Sequence, residues 1–301
     1  MTAHAAGDPA WRSHRLPAQE PFPWIPLVRS LAAHAVPGLE SVQFDGAAAS
    51  VTRLLPAPGG PRLGSPVLAE VGFGAPDSVT VRLAGGDPAD DAALLAGLRR
   101  WLDLDAPAAA VDGFLSGFPV LAPLVRARPG LRIPGAVDAW ETAVLTVLGQ
   151  QVSLAAARTF GSRLVAEFGT PGPGGFGLFP TPQRLAGTSA GELQSAVRIT
   201  GSRARTIQAL AEAAAGGLQL AGSGEGTRAA LLALPGIGPW TVDYLEVRAA
   251  GNRDAFVPGD LVLRRALGVE HPREAAALAE PWRPWRAYAL FHLWTAAAYD
   301  R

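Results

Sequence analysis

The chain has 301 residues, 49% of them hydrophobic, which is enough to bury a substantial core in one large domain or two ordinary ones. It contains no Cys, so disulfides, thiolate zinc sites and an iron–sulfur cluster are excluded, and its five His residues (His4, His14, His34, His271, His292) have no metal-ligand spacing. The formal charge of zero argues against a strongly electrostatic, nonspecific nucleic-acid binder, while leaving room for a grip made of backbone amides and a local patch of Arg.

Residues 1 to 20 are polar with scattered Pro and no apolar period, so a flexible tail is expected there. No apolar run reaches spanning length, and MTAHAAGDPAWRSHR lacks the core of a secretory signal; no membrane association and a cytoplasmic location are expected. From Trp24 to Val36, Ile25, Leu27, Val28, Leu31 and Ala32 give a helical stripe that Pro37 and Gly38 end. Short alternating segments follow around Val42, Val51, Val67 and Val79, separated by Gly, Pro and Asp, and predict an antiparallel sheet. Asp87 to Leu102 then reads as a helix packed on it. Residues 21–106 are therefore expected to form a small α+β domain.

From Pro107 to residue 301 strand-like alternation disappears and helical segments alternate with Gly/Pro signals, predicting an all-α bundle; Thr170 to Gly177 reads as a surface loop. The fold class is thus mostly α with an α+β N-terminal domain. Asp138 and Glu141 have capping-box spacing ahead of Val144, Leu145, Val147 and Leu148. That helix ends at Gly149, and Gln150 and Gln151 follow in apolar surroundings.

The stretch from Leu231 to Arg265, LLALPGIGPWTVDYLEVRAAGNRDAFVPGDLVLRR, is the most informative. Thr227 can cap a short helix ending at Pro235; Gly236 and Gly238 permit positive φ, and Pro239 suits the first turn of a second helix. The amides of Ile237, Gly238 and Trp240 would then point outward at a helix N-terminus, a geometry that favours a phosphate oxygen. Trp240 and Tyr244 share one helix face. Asp260 opens a third helix, where it can serve as cap, as functional acid, or as both.

LPGIGPWTVDY followed by FVPGD resembles the helix-hairpin-helix, Gly/Pro-rich, Asp superfamily of DNA glycosylases, and within it the bacterial 3-methyladenine DNA glycosylase II (alkylpurine glycosylase) group. DAWETAVLTVLGQQVSLAAA and WRPWRAYALFHLW carry the same resemblance, which extends more weakly from about Trp24 onward. It implies a helix-hairpin-helix glycosylase bundle beside an accessory sheet domain, with Asp260 catalytic. Trp240, Tyr244, Trp294 and Gln150 would line the base pocket, while Gly236, Ile237, Gly238, Gln151 and Arg264 would contact DNA. Gln151 stands where the family usually has a Leu wedge, so the group that plugs the duplex stays open. Trp140, Trp282 and Trp285 are assigned to the core.

The implied partner is double-stranded DNA containing damaged bases, acted on by a monomer, with no cofactor apart from a monovalent cation that family members often hold at the hairpin. Alkylated purines are often cationic and good leaving groups, so an aromatic pocket plus one carboxylate near C1′ would suffice. No Lys occurs in the chain; Trp240 stands where bifunctional relatives carry theirs, so lysine-based strand cleavage is not expected. The alternative is a noncatalytic helix-hairpin-helix protein that binds damaged DNA.

Overall fold

A computed structural model describes residues 10–58, 65–222 and 224–299. Its N-terminal part contains β1 (Trp11–Pro17), α1 (Trp24–His34), β2 (Glu40–Phe44), β3 (Ala49–Leu55), β4 (Val67–Phe73), β5 (Ser78–Ala84) and α2 (Asp91–Trp101). The five strands form one antiparallel sheet in the order β1-β5-β4-β3-β2. Alternation sets its inner face: Val51, Val71, Val81 and Leu83 point into a core completed by Leu27, Val28, Leu94, Leu98 and Trp101.

The expected tail is corrected from Trp11 onward; residues 1–9 lie outside the described residues. Residues 11–17 pair with β5 as an edge strand. Their pattern looks polar because Arg12 pairs with Asp91 at 2.7 Å and Arg15 with Asp77 at 2.6 Å, leaving Leu16 as the buried contribution. Backbone pairing and ion pairs, rather than apolar alternation, hold this edge.

The helical part comprises α3 (Ala108–Leu115), α4 (Ala122–Ala127), α5 (Ala139–Gly149), α6 (Leu154–Phe168), α7 (Pro182–Ala186), α8 (Ala190–Val197) and α9 (Gly201–Ala215). It continues with α10 (Glu225–Leu232), α11 (Pro239–Arg248), α12 (Leu261–Leu267), α13 (Pro272–Ala279) and α14 (Arg286–Tyr299). Two cores are built here. One joins residues 106–133 to residues 247–293, and the other gathers residues 140–245 between them in sequence. The helix α11 belongs to both: Val242 and Leu245 pack into the second, whereas Val247 and Trp240 pack on the first. Residues projecting from the remaining face of α11 therefore stand at the seam.

Two sequence readings change here. Thr170 to Gly177 is more than a surface loop, since β6 (Thr170–Pro171) pairs with β7 (Gly177–Leu178), Gly177 N–H donates to the Gly38 carbonyl at 2.8 Å, and Leu178 packs beside Leu54 and Leu68. The segment ties the helices to the sheet. The capping box at Asp138 is half formed: Asp138 accepts from the Trp140 and Glu141 amides, but the Glu141 side chain is buried against Arg53 of β3 at 2.7 Å. Arg53, 4% exposed, also meets Glu40 at 3.0 Å. Burial pushes the Glu141 carboxyl up, with Arg53 acting against that shift; the same burial opposes the Arg53 charge, but Glu141 and Glu40 outweigh it and raise the guanidinium. This ion pair fastens the sheet to α5.

A buried imidazole, His292, and a half-buried one, His34, give the fold an acid sensitivity. Burial, followed by the nearby Arg128, brings His292 down to about 4; burial, followed by Arg248, does the same to His34. Between those values and the ordinary His value, the unfolded chain holds more protons than the folded one, so stability rises with pH through this window and is lost on acidification. Each group adds a slope on the order of 1.4 kcal/mol per pH unit there. Urea midpoints are expected to fall as pH drops from 6.5 to 5, and a His292→Leu variant should show a shallower dependence; equal slopes would rule out His292 as a source.

Candidate active site

The turn between α10 and α11 is built on one glycine. Gly236 has φ of +79°, and a Cβ there would lie 2.1 Å from Thr206 Oγ1 on α9, so the hairpin packs its backbone directly on that helix. Gly238 differs from the expectation: its φ is −107°, it is the N-cap of α11, and a Cβ would meet open space. The short helix begins at Glu225 after Gly224, so Thr227 is not its cap. Ile237 is also corrected, because its side chain lies in the core and its amide donates to the Leu234 carbonyl at 3.2 Å. The amides of Gly238 and Trp240 have no acceptor among the described residues, which leaves two donors at the helix N-terminus.

Gln150 braces this hairpin instead of lining the base pocket. Its Nε2 donates to the Gly236 carbonyl at 3.2 Å and to Thr241 Oγ1 at 3.0 Å. Arg203 holds the preceding turn, with Nε donating to the Val147 carbonyl at 3.2 Å and Nη2 to that of Gln150. The neighbouring Gln151 is exposed, with φ of +55°, at the tip of the loop before α6. Leu154, also exposed, stands one turn further on at the start of α6.

Asp260 is the N-cap of α12, and the structure unites the two roles that its position allows. Oδ1 accepts the Leu263 amide at 2.8 Å and the Trp294 indole N–H at 2.9 Å, while Oδ2 accepts the Trp240 indole N–H at 3.0 Å. Three donors from α11, α12 and α14 thus fix the plane of the carboxylate. It borders a cavity of about 200 Å³ that also meets Ser30 and His34 of α1 and Tyr244, Phe291 and Trp294. A larger cavity of about 490 Å³ adjoins it and shares Ser30, His34, Trp240, Tyr244, Arg248 and Val262. Two other acids of the same stretch are occupied elsewhere: Asp243 pairs with Arg228 at 2.7 Å and Asp254 with Arg286 at 2.8 Å. Arg264 spends its Nη1 on the Glu270 carbonyl.

The aromatic cage is present, with one addition. Trp240 and Tyr244 stack at 5.2 Å and 15°, and Tyr244 lies 6.0 Å from Trp294. One further turn along α11, Arg248 sets its guanidinium 5.6 Å from the Tyr244 ring and 5.8 Å from Phe291, and donates to the Tyr244 hydroxyl at 2.9 Å. Residues 240, 244 and 248 form an i, i+4, i+8 row, so Arg248 was legible as a third member of the stripe. His34 and Ser30 carry no such signal, because they reach the site from the other domain. Trp140 and Trp282 are buried in the cores, as expected, and Trp285 packs against the first of the helical ones.

A helical hairpin with unspent amides, an indole-held acid at a helix mouth and an apolar cavity together define the architecture of a helix-hairpin-helix base-excision protein. The comparisons agree. The AlkA N-terminal domain matches residues 13–138, and the HhH-GPD superfamily of base excision DNA repair proteins matches residues 144–275. "DNA-3-methyladenine glycosylase 2" of Escherichia coli is 34% identical over 284 residues, covering 92% of this chain and 94% of that one. "Probable bifunctional transcriptional activator/DNA repair enzyme AlkA" of Mycobacterium tuberculosis is 40% identical over 294 residues; 94% of this chain matches 56% of that protein, so the chain spans little more than half of this relative. The solved "3-methyladenine dna-glycosylase from Archaeoglobus fulgidus" superposes with a TM-score of 0.80 at 19% identity, over 95% of this chain and 98% of that one, a likeness of fold. The chain belongs to the AlkA family of the HhH-GPD superfamily.

Proposed function

We propose that this chain is a monofunctional DNA glycosylase that hydrolyses the N-glycosidic bond of alkylated purines, such as 3-methyladenine, in duplex DNA. The observation that carries this reading is the Asp260 carboxylate, presented to an aromatic cavity by two indole N–H groups and a helix-capping amide. The names of the AlkA relatives support it.

Reaching that cavity requires the nucleotide to leave the stack, at a cost of a few kcal/mol that is lowest for weakly paired or damaged bases. The unspent amides of Gly238 and Trp240 suit a backbone phosphate, and the exposure of Gln151 supports its entry into the gap. With the base in the cage, departure of the base nitrogen leaves positive charge on C1′ and its ring oxygen. Asp260 stabilises that charge, and water adds at C1′, giving up one proton. The products are the free base and an abasic site on an intact strand. A chain without Lys cannot form the usual Schiff base with that sugar, so the backbone stays uncut.

Incubating the protein with duplexes that each hold one alkylated purine, then splitting each sample between alkali and none, tests the reading. Free base and strand breaks only after alkali are expected. No break over the lesion panel would mean a binding protein, and breaks without alkali would mean a lyase.

A further inference from the structure

The cage contains a positive charge that an aromatic pocket for cations would not need. Arg248 lines both cavities, faces the Tyr244 and Phe291 rings, and has no carboxylate within ion-pair distance among the described residues. One of its nitrogens is committed, Nη1 to the Tyr244 hydroxyl at 2.9 Å. Its buried Nε has no hydrogen-bond partner. Nη2 likewise has no acceptor among the described residues. Arg132, the other guanidinium lining the catalytic cavity, is already engaged: Nη1 donates to the Ala106 carbonyl, and Nη2 to those of Gln19 and Pro21. His34 next to Arg248 stays neutral at ordinary pH, brought down to about 4 by burial and then by Arg248 itself, so it adds no second charge.

The Nη2 donor is thus charged, accessible and uncommitted at the cavity wall, and it gains when an acceptor arrives. A guanidinium already lying against two ring faces also occupies part of the surface on which a cationic base would be stabilised, and it repels such a base. Resting on the glycosylase reading above, we propose that Arg248 is a specificity-determining residue that reads the far edge of the flipped base. Its Nη2–H donates to a carbonyl oxygen there. Neutral bases with such an oxygen gain from it, and cationic bases without one lose. The pocket therefore selects two ways: Asp260 acts on the sugar whatever the base, while Arg248 sorts the bases by charge and acceptor pattern.

Single-turnover release of hypoxanthine, neutral with a carbonyl oxygen, is compared with that of 3-methyladenine, a ring cation without one, using the full chain and Arg248→Leu. The variant is expected to release hypoxanthine about tenfold or more slowly and 3-methyladenine as fast or faster, so the ratio shifts by about tenfold or more, the loss of one charge-assisted hydrogen bond. Arg248→Lys, which keeps the charge without the fork, should lie between the two; it carries the same comparison if the Leu variant does not melt cooperatively. Both rates falling by one common factor, or neither changing, would overturn the role of Arg248. Release of neither base by the unaltered chain would instead overturn the glycosylase reading on which it rests.

Discussion

Asp260→Asn is expected to lower single-turnover base release by about 10²- to 10³-fold, while affinity for a damaged duplex changes little. Asn caps helices as well as Asp does, so the Leu263 contact at 2.8 Å and the start of α12 should survive. The loss falls on charge at the sugar. One structural cost accompanies it: with Oδ1 kept on Leu263 and Trp294, the new amide N–H₂ faces the Trp240 indole N–H at 3.0 Å, donor against donor. Trp240→Phe removes that donor and retains a ring. If the deficit of Asp260→Asn came from displacing Trp240, Trp240→Phe alone would lose as much; the account expects it to lose far less.

The second large effect is expected at the hairpin. Gly236→Ala adds a Cβ to a residue at φ of +79° and places it 2.1 Å from Thr206 Oγ1 and 3.2 Å from Thr206 Cβ. The left-handed backbone costs about 1–2 kcal/mol for a residue with a Cβ. The overlap with Thr206 adds to it, because Thr206 is buried and its hydroxyl is engaged with the Ser202 carbonyl at 3.1 Å. The turn must shift, and with it the Gly236 carbonyl that holds Gln150 and the direction of the Gly238 and Trp240 amides. Affinity for duplex DNA is expected to fall by about tenfold or more, the value of one or two phosphate contacts. Thr206→Ala in the same chain relieves the overlap and should recover part of the loss. Fluorescence anisotropy with a labelled duplex reads both; wild-type affinity in Gly236→Ala would mean that the hairpin does not touch DNA.

Much of this site is legible in the sequence. The Pro239 start, the row of Trp240 and Tyr244 and the helix-entry position of Asp260 follow from local rules, and local rules hold where a helix decides the geometry. What escaped depends on partners far apart in the chain. No spacing announces that the indoles of Trp240 and Trp294, 20 and 34 residues from Asp260, would hold its two oxygens. Glu141 looked like half of a capping box because its spacing from Asp138 is right, yet a buried Arg53 from β3, 88 residues away, takes its carboxylate. Gln150 is a pocket residue only by resemblance to the family; its side chain goes to the hairpin carbonyl 86 residues on. Strand β1 is hidden because two of its residues are Arg, each ion-paired with an acid far along the chain. In each case a long-range polar contact overrode a local pattern.

The central claim is that the Asp260 carboxylate faces the positive charge that develops on the sugar. Affinity for a duplex carrying a pyrrolidine abasic analogue, whose ring nitrogen is protonated at the site of that charge, tests this most directly, because no chemistry intervenes. The account predicts that the unaltered chain binds this duplex at least about a hundredfold more tightly than Asp260→Asn does, while both bind a neutral tetrahydrofuran abasic duplex alike. Equal affinity of the two chains for the charged analogue would contradict it.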